Sequence, residues 1–165
     1  MEVKIRKVRA EDAGRVAEIC RNGWLDTVDD RLSETYKIKN IGYWYATGKV
    51  KQDIKKGQYS FVAEVDDTVA GVIGGGMISG SENEVFVFYM DRNYRYMGIG
   101  KQLLNVFTEH FMKKGASVQW VSVQEGNTLG LPFYKSTGFY FQSIKETDTG
   151  TGEVQKSLRM KRELE

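Results

Sequence analysis

Arg95-Tyr96-Met97-Gly98-Ile99-Gly100-Lys101 follows closely on the apolar run Val85-Phe86-Val87-Phe88-Tyr89-Met90. A strand that runs into a glycine turn and then a helix leaves backbone N–H groups open to close approach, and the helix dipole places its positive end at the same point. Such a corner holds anions, most naturally a diphosphate. Two familiar nucleotide corners are excluded. Position 103 is Leu where a dinucleotide fingerprint has its third glycine, and Gln102 follows Gly100-Lys101 where a P-loop has Ser or Thr. The pattern that fits is Arg-x-x-Gly-x-Gly, with Arg95, Gly98 and Gly100.

At these residues the chain resembles the GNAT superfamily of N-acetyltransferases, whose acetyl-CoA site is a strand, an Arg/Gln-x-x-Gly-x-Gly/Ala turn and a helix. A second block resembles the family's later motif: Asn127 opens a short helix that carries Phe133-Tyr134 and leaves through Gly138-Phe139. The likeness to the shared core covers about residues 58–141. It implies that backbone groups of Met90, Met97, Gly98, Gly100 and Lys101, with Arg95, hold the pantetheine arm and diphosphate of acetyl-CoA. Asn127 is implied to bond the pantetheine arm, and Asn is also a favoured helix cap. Two residues depart from the family pattern: Arg92 stands where many members have Pro, and Tyr96 where Gly is common.

Acetyl transfer from a thioester to an amine needs a held donor, a neutral amine, support for the oxyanion and a proton for the departing thiolate. The resemblance gives the proton to Tyr134, which read alone is by default a packed amphipathic aromatic. The resemblance also implies a strand bulge near the end of 84–90, which would turn the N–H of Met90 or Tyr89 toward the thioester carbonyl. Glu84, eleven positions before Arg95, stands where some histone-acetylating relatives carry a base, with Glu82 and Glu125 as substitutes. The acceptor side falls to the region 24–57 and the strand 71–76. There, aromatics beside Asp26, Asp29 and Asp30 either receive a cationic amine or form core. Ser122 has no His and acid partner, His110 reads as structural, and Cys20 as a small buried hydrophobe.

The bulk composition fits this reading. The 24 Lys and Arg against 22 Asp and Glu leave a net charge of +2, which speaks against a nucleic-acid binder driven by charge. No Cys or His cluster has metal-ligand spacing, so no metal is expected. No apolar run reaches eighteen residues, so no membrane span is expected, and the chain reads as cytoplasmic. Its 165 residues suit a single N-acetyltransferase domain, with a homodimer admitted. The expected function is acetyl-CoA-dependent acetylation of a primary amine on a small molecule or peptide by direct attack. The alternatives are a protein amine acetyltransferase, a non-catalytic acyl-CoA sensor and a nucleotide-binding module.

The elements that must position these groups follow from periodicity. Residues 3–8 alternate as a strand and 11–20 turn helical. The stretch 24–57 is mostly helical, with interruptions expected at Gly42 and Gly48. Residues 59–78 form a hairpin about Asp66-Asp67-Thr68, and 84–90 a strand. A helix follows over about 98–114, where Ile99, Leu103, Leu104, Phe107 and Phe111 share one face. The strand 118–123 should lie parallel to the one before that helix. A short helix from about 129 and a closing hairpin around 148–152 complete the chain. The fold class is α/β (α+β): a mixed central sheet of about six or seven strands with helices on both faces.

Overall fold

The computed structural model describes residues 1–28, 32–148, 150 and 153–165. The chain runs β1 (Val3–Lys7), α1 (Ala13–Thr27), α2 (Glu34–Trp44), α3 (Thr47–Lys55), β2 (Phe61–Val65), β3 (Thr68–Met77) and β4 (Glu82–Met90). It continues through α4 (Ile99–Met112), β5 (Val118–Gln124), α5 (Gly130–Ser136), β6 (Tyr140–Asp148) and β7 (Val154–Glu163). Seven strands form one sheet in the order β1-β2-β3-β4-β5-β7-β6. Only the β4–β5 pair is parallel, because α4 crosses over between those two strands. The mixed sheet with helices on both faces is the architecture the sequence pattern implies.

Alternation along the central strands feeds two cores. Phe61, Ala63 and Ile73 face Ile99, Leu103, Leu104 and Phe107 of α4. Val62, Val69 and Val72 face the other way, against Val16, Ala17 and Cys20 of α1 and Val50 of α3. A third cluster of Trp24, Leu32 and Tyr36 ties α1 to α2. The β2–β3 hairpin turns on Asp66 and Asp67 alone, at φ 47° and 68°, and Thr68 already belongs to β3. Two left-handed residues match the twist of the strands they join.

Between α1 and β2 the helices do not break at the two expected glycines. Gly42 lies within α2 and Gly48 within the first turn of α3, each with open space where a Cβ would be. A glycine costs a helix about 1 kcal/mol against Ala, too little to stop one held by packing. The break falls instead at Tyr45 and Ala46, while the Ser33 hydroxyl accepts the Tyr36 N–H and starts α2. Asp29 and Asp30, and most of the turn 148–152, lie outside the described residues.

The centre of the sheet carries the feature that makes a site. β4 and β5 pair only over Glu82–Val85 and Val118–Val121. β4 then continues to Met90 and β5 to Gln124 without meeting again, so a wedge opens between them. A bulge sits just above the parting point: Gly75 pairs with Val85 and Gly74 with Val87, leaving Phe86 unopposed. The expected bulge near Tyr89 and Met90 thus falls earlier in the strand. Glycine is required there because a Cβ on Gly75 would collide with the Glu84 carbonyl and one on Gly74 with that of Gln58. The extra residue re-aims the strand, so that Val85 packs toward α4 and Val87 toward α1.

Candidate active site

A cavity of about 270 Å³ occupies the wedge, bounded by the end of β4, the turn before α4, α5 and one face of α1. At its far end Gly98 adopts φ 78°, a left-handed conformation that glycine takes without steric penalty, and α4 begins at the next residue. The first-turn N–H groups of a helix have no intrahelical partner, and Gly98 offers no side chain to cap them. A Cβ on Gly100 would stand 3.7 to 3.9 Å from Phe88, Met90 and Phe133, all of which wall the cavity. The donors, the missing side chains and the positive helix end together fit a diphosphate.

On the near wall the register of β3 and β4 decides which amide is free. Asp91 N–H donates to the Ala70 carbonyl, and Gly71 stands opposite Met90. Amides of an antiparallel ladder alternate in direction, so Tyr89 N–H points into β3 while Met90 N–H points away from it, into the wedge that β5 has left. Of the two amides considered for the oxyanion, the register turns Met90 to the cavity.

Tyr134 lines the same cavity from α5 and is 92% buried by its surroundings, with 8% of its surface exposed. Its ring packs edge-on against Phe88, Phe133 and Phe139. Among the described residues no hydrogen bond engages its hydroxyl. Burial pushes the phenol well above its ordinary range, so it keeps the proton that an acid must give. Asn127 lines the cavity too, and its side-chain oxygen accepts the N–H groups of Leu129 and Gly130 at 3.1 and 2.7 Å, capping α5.

The cavity thus gathers Met90, Arg95, Gly98, Gly100, Lys101, Asn127 and Tyr134. Met97 is not in its wall and is half exposed. Glu84 is not in the wall either: Arg159 reaches both of its oxygens, at 2.9 and 3.2 Å, and also the Ser122 hydroxyl. The Arg159 guanidinium lies 4.8 Å over Trp120, whose indole N–H donates to Glu82. Asp26, weighed as a contact for a cationic amine, is taken by Arg92 and Arg95 at 2.9 and 3.0 Å. Of the aromatics in 24–57, Trp24 and Tyr36 are core, whereas Tyr43 and Trp44 are exposed and lie outside the cavity wall. Cys20 is buried beside Tyr59, and burial raises its thiol far out of the reactive range.

Thr27, within the stretch 24–57 given to the acceptor side though not singled out there, lines the cavity from α1, and so does Gly23, which escaped the sequence reading. A Cβ on Gly23 would overlap the Tyr89 ring, which packs against the helix there. No local motif marks this glycine, since its role appears only once β4 is packed beneath α1.

The family model described as the acetyltransferase (GNAT) family matches residues 22–139. The chain belongs to the GNAT family. The GNAT chain is 29% identical to the spermidine N(1)-acetyltransferase of Thermoplasma acidophilum over 90% of its own length and 92% of that protein's. It is also 28% identical to the alanine N-acetyltransferase of ribosomal protein bS18 from Escherichia coli, across 39% of this chain and 43% of the other. The crystal structure of the PaiA N-acetyltransferase of Thermoplasma acidophilum in complex with coenzyme A superposes with a TM-score of 0.82. That match is 26% identical and covers 99% of this GNAT chain and 100% of the other. The chain is therefore an acyltransferase of the GNAT type, a family that uses acetyl-CoA.

Proposed function

We propose that residues 1–165 form one N-acetyltransferase domain that moves the acetyl group of acetyl-CoA to a primary amine while both substrates are held together. The carrying observation is the wedge itself, which lines up helix-end amides, a free strand amide and a buried phenol hydroxyl along one cavity. Acetyl-CoA supplies the acyl thioester. The amides of Gly98, Gly100 and Lys101 hold its diphosphate, with Arg95 beside them and Asn127 along the arm. Met90 N–H supports the oxyanion as the carbonyl is attacked, Tyr134 O–H gives its proton to the leaving sulfur, and the proton that the acylated nitrogen sheds restores the phenol through solvent at the mouth.

Glu84 has no part in this reading, because Arg159 holds both of its oxygens and the cavity does not include it. The amine enters neutral, having lost its proton to water at the mouth. An alkylamine with a pKa of about 10 is then a minor species at pH 7, and kcat/KM rises roughly tenfold per pH unit toward that pKa. Glu84→Gln leaves that slope unchanged. A plateau near neutral pH in the parent that Glu84→Gln abolishes would restore the carboxylate as base.

The acceptor class that fits best is a flexible polyamine, supported by the likeness to a spermidine acetyltransferase over nearly all of that protein. Acetyl-CoA consumption measured against spermidine, spermine, putrescine, single amino acids and an alanine-starting peptide tests this. Turnover on the polyamines that falls about 10²-fold in Tyr134→Phe, the usual contribution of a positioned acid, is the expected result. The thermal midpoint of that variant stays at the parent value, because the hydroxyl it removes bonds no described residue. Turnover on the peptide alone would move the acceptor to proteins, and coenzyme A binding with no turnover on any amine would make the chain a sensor.

A further inference from the structure

Beneath the wedge lies a buried polar chain that the proposed reaction does not use. Asn83 and Gln119, both fully buried, are register partners on β4 and β5 just before the strands part. The Gln119 amide donates at 3.0 Å to both Asn83 and Thr108, the latter on α4. Into this chain β7 sends Arg162. Its Nε donates to the Gln119 oxygen at 2.9 Å and one terminal nitrogen to the Thr108 hydroxyl at 3.1 Å. The other terminal nitrogen donates to the Thr137 carbonyl at 2.6 Å, and the guanidinium lies 4.7 Å over the Phe139 ring.

Among the described residues no carboxylate pairs with Arg162. A half-buried cation without a counter-charge is costly, and its burial lowers its hold on the proton. What it gains is geometry, since the planar fork reaches three acceptors on three elements at fixed angles. One of those acceptors, Thr137, is the residue on which α5 ends.

α5 is only seven residues long, too short to hold itself, so its tethers set its place. Asn127 holds the first turn. At the other end Thr137 and Phe139 fold back on the Tyr134 carbonyl, which accepts both the Thr137 hydroxyl and the Phe139 N–H at 3.0 Å. Phe139 also meets the Tyr134 ring edge-on at 5.4 Å. We propose that Arg162 is a positioning residue for acetyl transfer: from β7 it clamps the exit of α5 and thereby fixes the Tyr134 hydroxyl against the wedge. The proposal rests on Tyr134 as the acid.

A double-mutant cycle separates positioning from mere support of the fold. kcat per coenzyme A-binding site and KM for acetyl-CoA are measured for Arg162→Gln and Arg162→Lys, each in the parent and in Tyr134→Phe. In the parent, Arg162→Gln lowers kcat about 10- to 100-fold, the scale of an ångström-level misplacement, with KM for acetyl-CoA within about twofold. Arg162→Lys, which keeps the charge but not the fork, recovers only part of that loss. In Tyr134→Phe neither change lowers kcat further, because there is no hydroxyl left to place. Equal losses in both backgrounds overturn the proposal and leave Arg162 as a support of the fold. Should Arg162→Gln fail to fold, Arg162→Lys carries the same comparison. A Tyr134→Phe enzyme with the parent kcat overturns the acid reading by itself and takes the Arg162 proposal with it.

Discussion

At Gly100 a Cβ would meet only ordinary van der Waals contacts, the nearest at 3.7 Å, yet it would project into the cavity where a diphosphate is proposed to lie. The position is also in the first turn of α4, where Ala is favoured over Gly by up to about 1 kcal/mol. Gly100→Ala is therefore expected to act with opposite signs: the thermal midpoint holds or rises while the dissociation constant for coenzyme A, read by titration calorimetry, increases about tenfold or more. Tyr96 makes the converse case. It sits at φ 65° with 90% of its surface exposed at the rim of the cavity, so it bears a left-handed backbone with little packing in return. Such a conformation costs an L-residue roughly 1–2 kcal/mol. Tyr96→Gly should raise the urea midpoint by the equivalent of about 1 kcal/mol, and this explains why glycine suits that place in the motif. An unchanged or lower midpoint would mean that Tyr96 holds contacts worth as much as the strain.

Among the elements, α5 and α4 were the most legible in sequence, because each has a period or a capping residue that local chemistry fixes. Asn127 and Gly138 bracket α5, and Gly138 does end it at φ 98°. Asn127→Ala removes two bonds to the helix start and should cost about 1 kcal/mol of stability, the usual worth of such a cap. It should also lower kcat, since α5 carries Tyr134. A chevron or urea titration read beside initial rates checks both, and a lost rate with unchanged stability would point to a direct contact with substrate. The helices between residues 24 and 57 were harder. Their glycines face open space and break nothing, whereas the real break at Tyr45 and Ala46 carries no turn residue. The bulge at Phe86 was misplaced for a related reason. It arises from two strands crowding at Gly74 and Gly75, which is a cross-strand matter that periodicity along one strand does not record.

For the whole molecule, the part of the cavity wall that a contiguous motif builds was readable, and the part that comes from distant segments was not. Gly23 and Thr27 join the wall only through packing of α1 on β4, and the Glu84 and Asp26 carboxylates are held outside it by partners more than sixty residues away. Charge also ties together segments far apart in the chain. Burial disfavours the charged form of Asp12, but the two bonds from Arg6 and one from the Arg9 N–H outweigh it and hold its carboxyl below the ordinary range. Asp91 is lowered in the same manner against its own burial, by the Asn93 N–H and by Arg15, which reaches it from α1. A carboxyl depressed in the folded state stabilises above its unfolded pKa of about 3.9 and loses that contribution as pH falls through the folded value. Stability should therefore drop as pH falls below about 4, and Asp12→Asn should be less stable than the parent at pH 7 with the gap narrowing progressively as pH falls below about 4. A gap in urea midpoint that stays constant or widens as pH falls would show that Asp12 acts by something other than its charge.

The most direct test of the account is a crystal structure of the chain with coenzyme A bound. The diphosphate oxygens are expected within about 3 Å of the N–H groups of Gly98, Gly100 and Lys101, with the arm in the β4–β5 wedge and the sulfur beside the Tyr134 hydroxyl. A diphosphate seated away from the start of α4, or an arm lying outside the wedge, would contradict it.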